Sequence, residues 1–599
     1  MTRPTIRATQ TNPIPDWAFR QRHLIDAMNE AAPVLQDRYT RKDGSYIWRD
    51  TFGGMDGSDD AYESYYNWPL FYALGGSADI HERSRFLWDA VTRQFTAYGQ
   101  IYREFDAYYD WMHHGESSIF FYFFGLADPG RHIDKVRAIR FADLYSGENS
   151  INYDHNHRRM LSPINGSKGP RFVNTFDDWS TIRWVLADYP VPFDDLDAPV
   201  EMKGWRHPDE IVPIADWNDD SVFEKVLQAL NERQMRCDVP LNLASTSLVT
   251  NAYLYTGDDR YKTWVLDYLE AWADRIKENG GCCPDNIGPA NKIGETIDGK
   301  WLGGYYGWQW PHGLLTIMEP LTIAAMNAVL LTGDMSYLDI PRGQIDYMIN
   351  LGREEQGQLV VPHRHTDDGW TAYRPLSASL LNPIWYISQS EADQKRIEQL
   401  PQVQTEWLEI SGDESDHFGA WYSYLAGRLP EYPRVILESQ SARVLHRMDA
   451  IRSDDGDPQE WDIHHWQDLN PVCTEALVQL TCGGPEIVYR GGLLHVRLRY
   501  FDIEANRPGL PEDVSALVSD LDDKTTSLEL VNLNPIQQRR LVVQAGAFGE
   551  HRFTDAREGS KIVSVDDQRL DIVLPPGRSI KIELGQNRYS NSPSYEQPV

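Results

Sequence analysis

The chain has 599 residues, room for two large domains or several ordinary ones at about 150 residues each, and it can bury a sizeable core. Hydrophobic residues make up 41% and charged residues 24%, which excludes a mainly disordered chain and a bundle of membrane helices. Against 57 Lys and Arg stand 89 Asp and Glu, a formal charge of −32 that repels nucleic acid and anionic lipid wherever cations are not locally clustered.

From Met1 to Trp17 the chain shows Pro and polar residues in place of the apolar stretch of a signal peptide. No later stretch approaches the ~20 apolar residues of a membrane span, so a cytoplasmic protein is expected. Its 5 Cys cannot form a disulfide framework, and a reducing compartment fits them. From about residue 20 to 430 apolar positions recur at three and four residues, as in Trp264, Tyr268, Leu269 and Trp272, which predicts long helices. Turn marks punctuate them: Leu74-Gly75-Gly76, Ala127-Asp128-Pro129, Thr256-Gly257-Asp258 and Thr332-Gly333-Asp334. Each mark predicts a helical hairpin, with short turns at one end and long loops at the other. An antiparallel array of such hairpins closed into a ring would gather the long loops around one mouth. From about residue 485 the period changes to two, as in Leu494 to Tyr500, Leu541 to Gln544 and Leu570 to Leu574, which predicts an antiparallel β-sandwich. The expected division is a helical domain over 1–430, a connecting segment over 431–484, a sandwich over 485–585 and a flexible tail over 586–599.

A mainly α chain of this kind, an (α/α)6-type toroid of helical hairpins whose loops carry Trp, Tyr, His and paired carboxylates, followed by a sandwich ending in Leu574-Pro575-Pro576-Gly577-Arg578-Ser579-Ile580, resembles the (α/α)-barrel carbohydrate-active enzymes. These include polysaccharide lyases and glycoside hydrolases. The resemblance rests on architecture and covers nearly the whole chain. It implies that 1–430 is the catalytic domain, with a saccharide groove over the barrel mouth that often serves uronic-acid-containing chains.

Four loop groups are candidates for that mouth. In Asp56 to Glu63, Asp59 or Asp60 would bond sugar hydroxyls or act as a base; capping the following helix is the plain alternative. Tyr108 to Glu116 places Asp110, His113, His114 and Glu116 beside aromatics, supplying acid, base and stacking platform in one loop. Asn152 to Arg159 is a cationic island in an acidic protein, in which Arg158 and Arg159 would clamp a carboxylate while Tyr153, His155 and His157 handle protons. The fourth group is split, with Glu295, Tyr306, Trp308, Trp310 and His312 in one stretch and His363, Arg364 and His365 in another; its aromatics would stack on sugar rings. Paired His residues invite metal, but no second spaced His or Cys group completes a ligand set, so neither metal nor cofactor is expected.

Two mechanisms compete for these residues. A lyase needs a cation to neutralise a uronate carboxylate, a base and an acid; Arg158 or Arg159, His155 or His157, and Tyr153 or Tyr306 supply these, and β-elimination on uronic-acid-containing oligosaccharides is the first expectation. A hydrolase needs two carboxyl groups about 5–5.5 Å apart for retention or roughly 6.5–9.5 Å for inversion, and Asp59, Asp60, Asp110, Glu116 and Glu295 are available. A glycan-binding protein and an epimerase are the remaining readings. The expected partner is an oligosaccharide, with no nucleic acid and no membrane, and self-association is left open.

Overall fold

Helix Trp111–Ala127 shows how the helical region is built. Asp110 caps it by accepting the amide hydrogens of Met112 (2.9 Å) and His113 (3.4 Å), and the apolar run Ile119 to Phe124 buries every face until Asp128-Pro129 ends it. The computed structural model describes residues 3–10, 12–51, 57–171, 199–203, 211–215, 220–310, 312–400, 403 and 417–598. In chain order the first helices are α1 (Asp16–Tyr39), α2 (Ser58–Glu63), α3 (Trp68–Leu74), α4 (Ala78–Ala97), α5 (Trp111–Ala127) and α6 (His132–Ser146).

Two kinds of helix alternate. Ser245–Thr256, Leu314–Thr332 and Ala378–Ser388 are, like α5, almost wholly buried, and neighbours among them touch in the order α5, 245–256, 314–332, 378–388. The partners α4, α6, Asp259–Glu278 and Asp339–Leu351 bury one side and flank this inner row. Hairpin turns fall where the marks predict: Gly257 and Gly333 take the left-handed conformation (φ 66° and 74°) that ends a helix without steric cost. Leu314–Thr332 is long and apolar enough to cross a membrane, but 89% of its apolar window is buried inside the protein, so it is a core helix.

The connecting segment holds more than was expected of it. Helix Tyr432–Ser453 lies along α1 and touches Phe418–Leu425, so the last long helix of the region packs against the first. Beyond it lie two five-stranded sheets. One includes Thr5–Arg7, paired in parallel with Arg569–Leu574 (Ile6 opposite Ile572), so residues placed by sequence in the helical domain contribute a strand to the C-terminal region. Residues 485–497, where the two-residue period was expected to start, hold no strand, and the first half of Leu494 to Tyr500 is loop before strand Leu498–Asp502. The tail is also not loose: Tyr595 is buried and its hydroxyl donates to Asn251 Oδ1 at 2.6 Å, its ring filling the space a side chain on Gly125 would need. Bonds such as Arg499 to the Leu126 carbonyl (2.8 Å) and Gln21 to the Ala516 carbonyl (2.9 Å) join the helical and strand-rich regions around one continuous core.

Candidate functional site

The N-terminal ends of α2 and α5 meet, and they bring together the first two loop groups. Asp59, Asp60 and Glu63 fill one short helix, and His113 and Glu116 lie one turn apart at the start of α5. All five side chains are buried. Asp59 is 1% exposed, and neither of its carboxylate oxygens has a hydrogen-bond partner among the described residues. One oxygen of Asp59, one ring nitrogen of His113 and one oxygen of Glu116 lie within 4.8 Å of one another. Such a carboxylate costs several kcal/mol of desolvation if it stays ionised, so the fold does not place it there for stability.

The surroundings tie each group to a role. Asp110, the cap of α5, also holds His113 Nδ1 at 2.9 Å, while the Tyr109 ring stacks on the imidazole at 4.2 Å. Burial works against charge on His113, but Asp110 and Asp59 outweigh it and raise its pKa well above the usual histidine value. Gln467 bonds both Asp60 and Glu63, and His464 Nε2 lies 3.6 Å from Asp60. Arg490 pairs with Glu319 on Leu314–Thr332 and places its Nε 3.9 Å from Glu116. Gly115 permits this approach, since a Cβ there would fall on the Arg490 carbonyl.

Burial, then repulsion from Asp60, raises the Asp59 carboxyl well above the carboxylate range. Burial, then Glu116 and Asp60, does the same for Glu63. Glu116 is pushed up only to about 7, because His113 and Arg490 oppose its burial. The cluster therefore holds protons near neutrality, and Glu116 is the carboxyl with cations beside it.

Part of the fourth group flanks the site. The Tyr306 ring centroid lies 6.4 Å from that of His113, with Trp310 at 5.0 Å and His312 at 5.5 Å from Tyr306. Buried Asp285 shapes this loop by accepting from Gly303 (3.1 Å), Gly304 (2.8 Å) and Trp308 (2.7 Å), and side chains on Gly304 or Gly307 would collide with it. Strand Gln358–Thr366 braces the loop through Arg364 to the Gln309 carbonyl (3.2 Å) and His365 N to the Trp308 carbonyl (3.1 Å). His363 and His365 are both half-buried on one side of that strand with Arg364 buried on the other, and His365 sits against Trp301 and Trp370.

Several expected site residues lie elsewhere. His114 is fully buried, with Nε2 2.9 Å from the Asn165 carbonyl and Nδ1 3.3 Å from Asp106, a satisfied core histidine. Trp308 is buried with its indole donating to the Cys283 carbonyl (2.8 Å), and Glu295 is an exposed loop residue accepting from Ala290 N (2.6 Å). The cationic island does not join the cluster. His157 pairs with Asp154 (2.7 Å) and Arg158 with Asp274 (3.2 Å), both with exposed side chains. His155 bonds the Gly147 carbonyl (2.8 Å), Arg159 the Met160 carbonyl (2.8 Å), and Tyr153 is packed against Trp264 and Tyr268. Arg275, itself paired with Asp238 (3.1 Å), holds the island by the carbonyl of Arg158 (3.0 Å). His157 and Arg158 are thus paired with carboxylates, and Arg159 is buried with its Nε lacking a hydrogen-bond partner among the described residues, so the two arginines do not converge as the expected carboxylate clamp. Asp56 and Pro311 lie outside the described residues.

Glu63, Glu319, Gln467 and Arg490 were missed. Glu63 was legible, four residues from Asp59 on the same helix. The others arrive from segments hundreds of residues away, with no local pattern to mark them.

A domain family described only as a domain of unknown function (DUF8034) matches residues 5–361 and 351–478, and the chain belongs to it. No curated protein matches the sequence. Among solved structures, it is similar to cellobiose 2-epimerase from Bacillus thermoamylovorans (10% identity, 59% of this chain and 93% of that one, TM-score 0.22). It is also similar to cellobiose 2-epimerase from Spirochaeta thermophila (10%, 59% and 90%, 0.20) and to a sugar epimerase from a ruminal bacterium (9%, 58% and 92%, 0.21). At TM-scores this low the likeness says nothing about chemistry.

Proposed function

We propose that this member of the family is a carbohydrate-active enzyme that hydrolyses a glycosidic bond of an uncharged oligosaccharide, with Asp59 and Glu116 as the reacting carboxyl groups. The observation that carries the reading is Asp59: buried, without a hydrogen-bond partner among the described residues, and with an oxygen within 4.8 Å of Glu116. A close pair matches the roughly 5–5.5 Å carboxyl separation used for retention. Asp59, whose carboxylate accepts no hydrogen bond among the described residues, is the acid that protonates the leaving oxygen. Glu116, eased toward ionisation by His113 and Arg490, attacks the anomeric carbon as the bond to the leaving group breaks; water then releases the sugar, with Asp59 taking back the proton. Tyr306, Trp310 and His312 supply the faces on which a sugar ring stacks.

Hydrolysis is favoured over β-elimination on charge. Asp59, Asp60, Glu63 and Glu116 crowd the site, and its two cations are already engaged, Arg490 by Glu319 and His113 by Asp110, so a uronate carboxylate would find no clamp among them. The test is incubation of the purified protein with parallel panels of neutral and uronate-containing oligosaccharides. New reducing ends from neutral substrates, without an ultraviolet-absorbing product, support the reading. An unsaturated uronate product, or turnover confined to the uronate panel, overturns it.

A further inference from the structure

A second buried polar cluster, on the strand-rich side of the junction with the helices, has the opposite sign. Arg497 is 0% exposed; its Nη2 donates to the Asp522 carbonyl at 2.7 Å, but Nε and Nη1 are buried without an acceptor among the described residues. Its guanidinium lies 5.7 Å from the Tyr386 ring centroid. Arg588 reaches the same residue, donating to the Tyr386 carbonyl at 3.3 Å, and its own Nε is buried without an acceptor among the described residues. His551 accepts the Tyr589 amide hydrogen at Nδ1 (3.0 Å), which makes its Nε2 a donor. The nearest carboxylate oxygen to that donor, on Glu550, is 3.8 Å away. His495, buried two residues before Arg497, has no hydrogen-bond partner at Nδ1 among the described residues.

The neighbouring acids do not answer these donors. Glu550 gives its oxygens to the amides of Ala547 (3.2 Å) and Phe548 (2.7 Å). The Asp522 carboxylate caps its own turn at Lys524 and Thr525, both at 2.7 Å. Backbone bonds fix the cluster: Arg497 N to the Cys482 carbonyl (3.1 Å) and Gly546 N to the Arg497 carbonyl (2.8 Å). The Tyr386 hydroxyl, donating to the Gly483 carbonyl (2.8 Å), ties in the helical side. Unpaired buried guanidinium donors cost several kcal/mol, and native proteins leave few such groups without a ligand, ion or water.

We propose that Arg497, Arg588 and His551 form a buried site for a halide-sized inorganic anion that pins the strand-rich region to helix Ala378–Ser388. The anion supplies the acceptor that Arg497 Nε and Nη1 and Arg588 Nε lack among the described residues, with the His551 imidazole as a further donor beside them, and it offsets two guanidinium charges. The local potential agrees: burial and then Arg588 lower the Arg497 guanidinium to about 9, and burial followed by Arg588 and Arg497 depresses His551. The site shares no residue with the acidic cluster, so it stands or fails independently of the hydrolase reading.

The experiment uses the full chain. Crystals soaked in bromide are measured for anomalous scattering, and melting is followed in chloride, bromide, nitrate and fluoride at constant ionic strength. Binding to the native state alone raises the melting temperature with ligand concentration. The expected result is a bromide peak in contact with Arg497 and Arg588, and melting that rises with chloride or bromide but not fluoride. Arg588→Met, at the half-buried member, should flatten that dependence while the protein still folds. Density for a water with no bromide peak, or melting that is the same in all four salts, would overturn the proposal; should Arg588→Met fail to fold, the bromide map on the unaltered chain decides alone.

Discussion

The acidic cluster of α2 and α5 and the cationic island of Asn152 to Arg159 look equally rich in sequence, each packing acids or histidines into a few residues. Folding separates them. His157 and Arg158 pair with Asp154 and Asp274 with their side chains exposed, where an ion pair contributes about 0–1 kcal/mol, and Arg159 is buried against the Met160 carbonyl. The cluster is buried, its acids are forced together, and neither oxygen of Asp59 has a hydrogen-bond partner among the described residues. A dense run of titratable residues marks a reactive site only when burial denies those groups both water and one another's neutralisation.

Substitutions sharpen the contrast, from the largest expected effect down. Asp59→Asn and Glu116→Gln should each lower kcat by about 10²–10⁴-fold on a neutral oligosaccharide. Both should leave melting unchanged or raised, because each removes a buried ionisable group from like-charged neighbours; a matching collapse of stability would assign them to the scaffold instead. Gly115→Ala comes next: its methyl meets the Arg490 carbonyl, so the loop must shift at a cost of about 1–3 kcal/mol, and Glu116 loses the cation beside it. Denaturant unfolding and kcat should fall together.

The pH dependence has a defined sign. Glu116 must be ionised to attack, so kcat should rise with pH through about 7, and in Glu116→Asp that limb should move as the carboxyl is displaced from Arg490. Stability runs the other way. The folded pKa of Glu116 lies above the ordinary glutamate value of 4.5, so the folded chain holds this proton more tightly, and its contribution is present below 4.5 and lost as pH rises toward about 7. Unfolding free energy measured across that window should fall less steeply in Glu116→Gln. The smallest effects belong to the island: His157→Ala and Arg158→Ala should change kcat less than twofold and stability within about 0.5 kcal/mol, as surface substitutions do.

Much of the architecture was readable because it follows from local rules. Helical spacing and the Gly257 and Gly333 turns located the hairpins, and two-residue alternation located the strands. What escaped depends on distant segments. Thr5–Arg7 is too short to declare itself a strand until Arg569–Leu574 offers it a partner, and the polar tail hides one anchoring side chain, Tyr595. In the candidate site, Asp59, Asp60, Asp110, His113 and Glu116 were visible as two acidic loops. That these loops face each other, with Arg490 and Glu319 behind them, is a consequence of packing through Gly115, and spacing along the chain cannot express it.

The most direct test of the central claim is a paired measurement of reducing-sugar release from one neutral oligosaccharide by Asp59→Asn and by Arg158→Ala. The account predicts a loss of at least about a hundredfold for the first and less than twofold for the second. Equal activity of Asp59→Asn and the unaltered enzyme, or a large loss confined to Arg158→Ala, would contradict it.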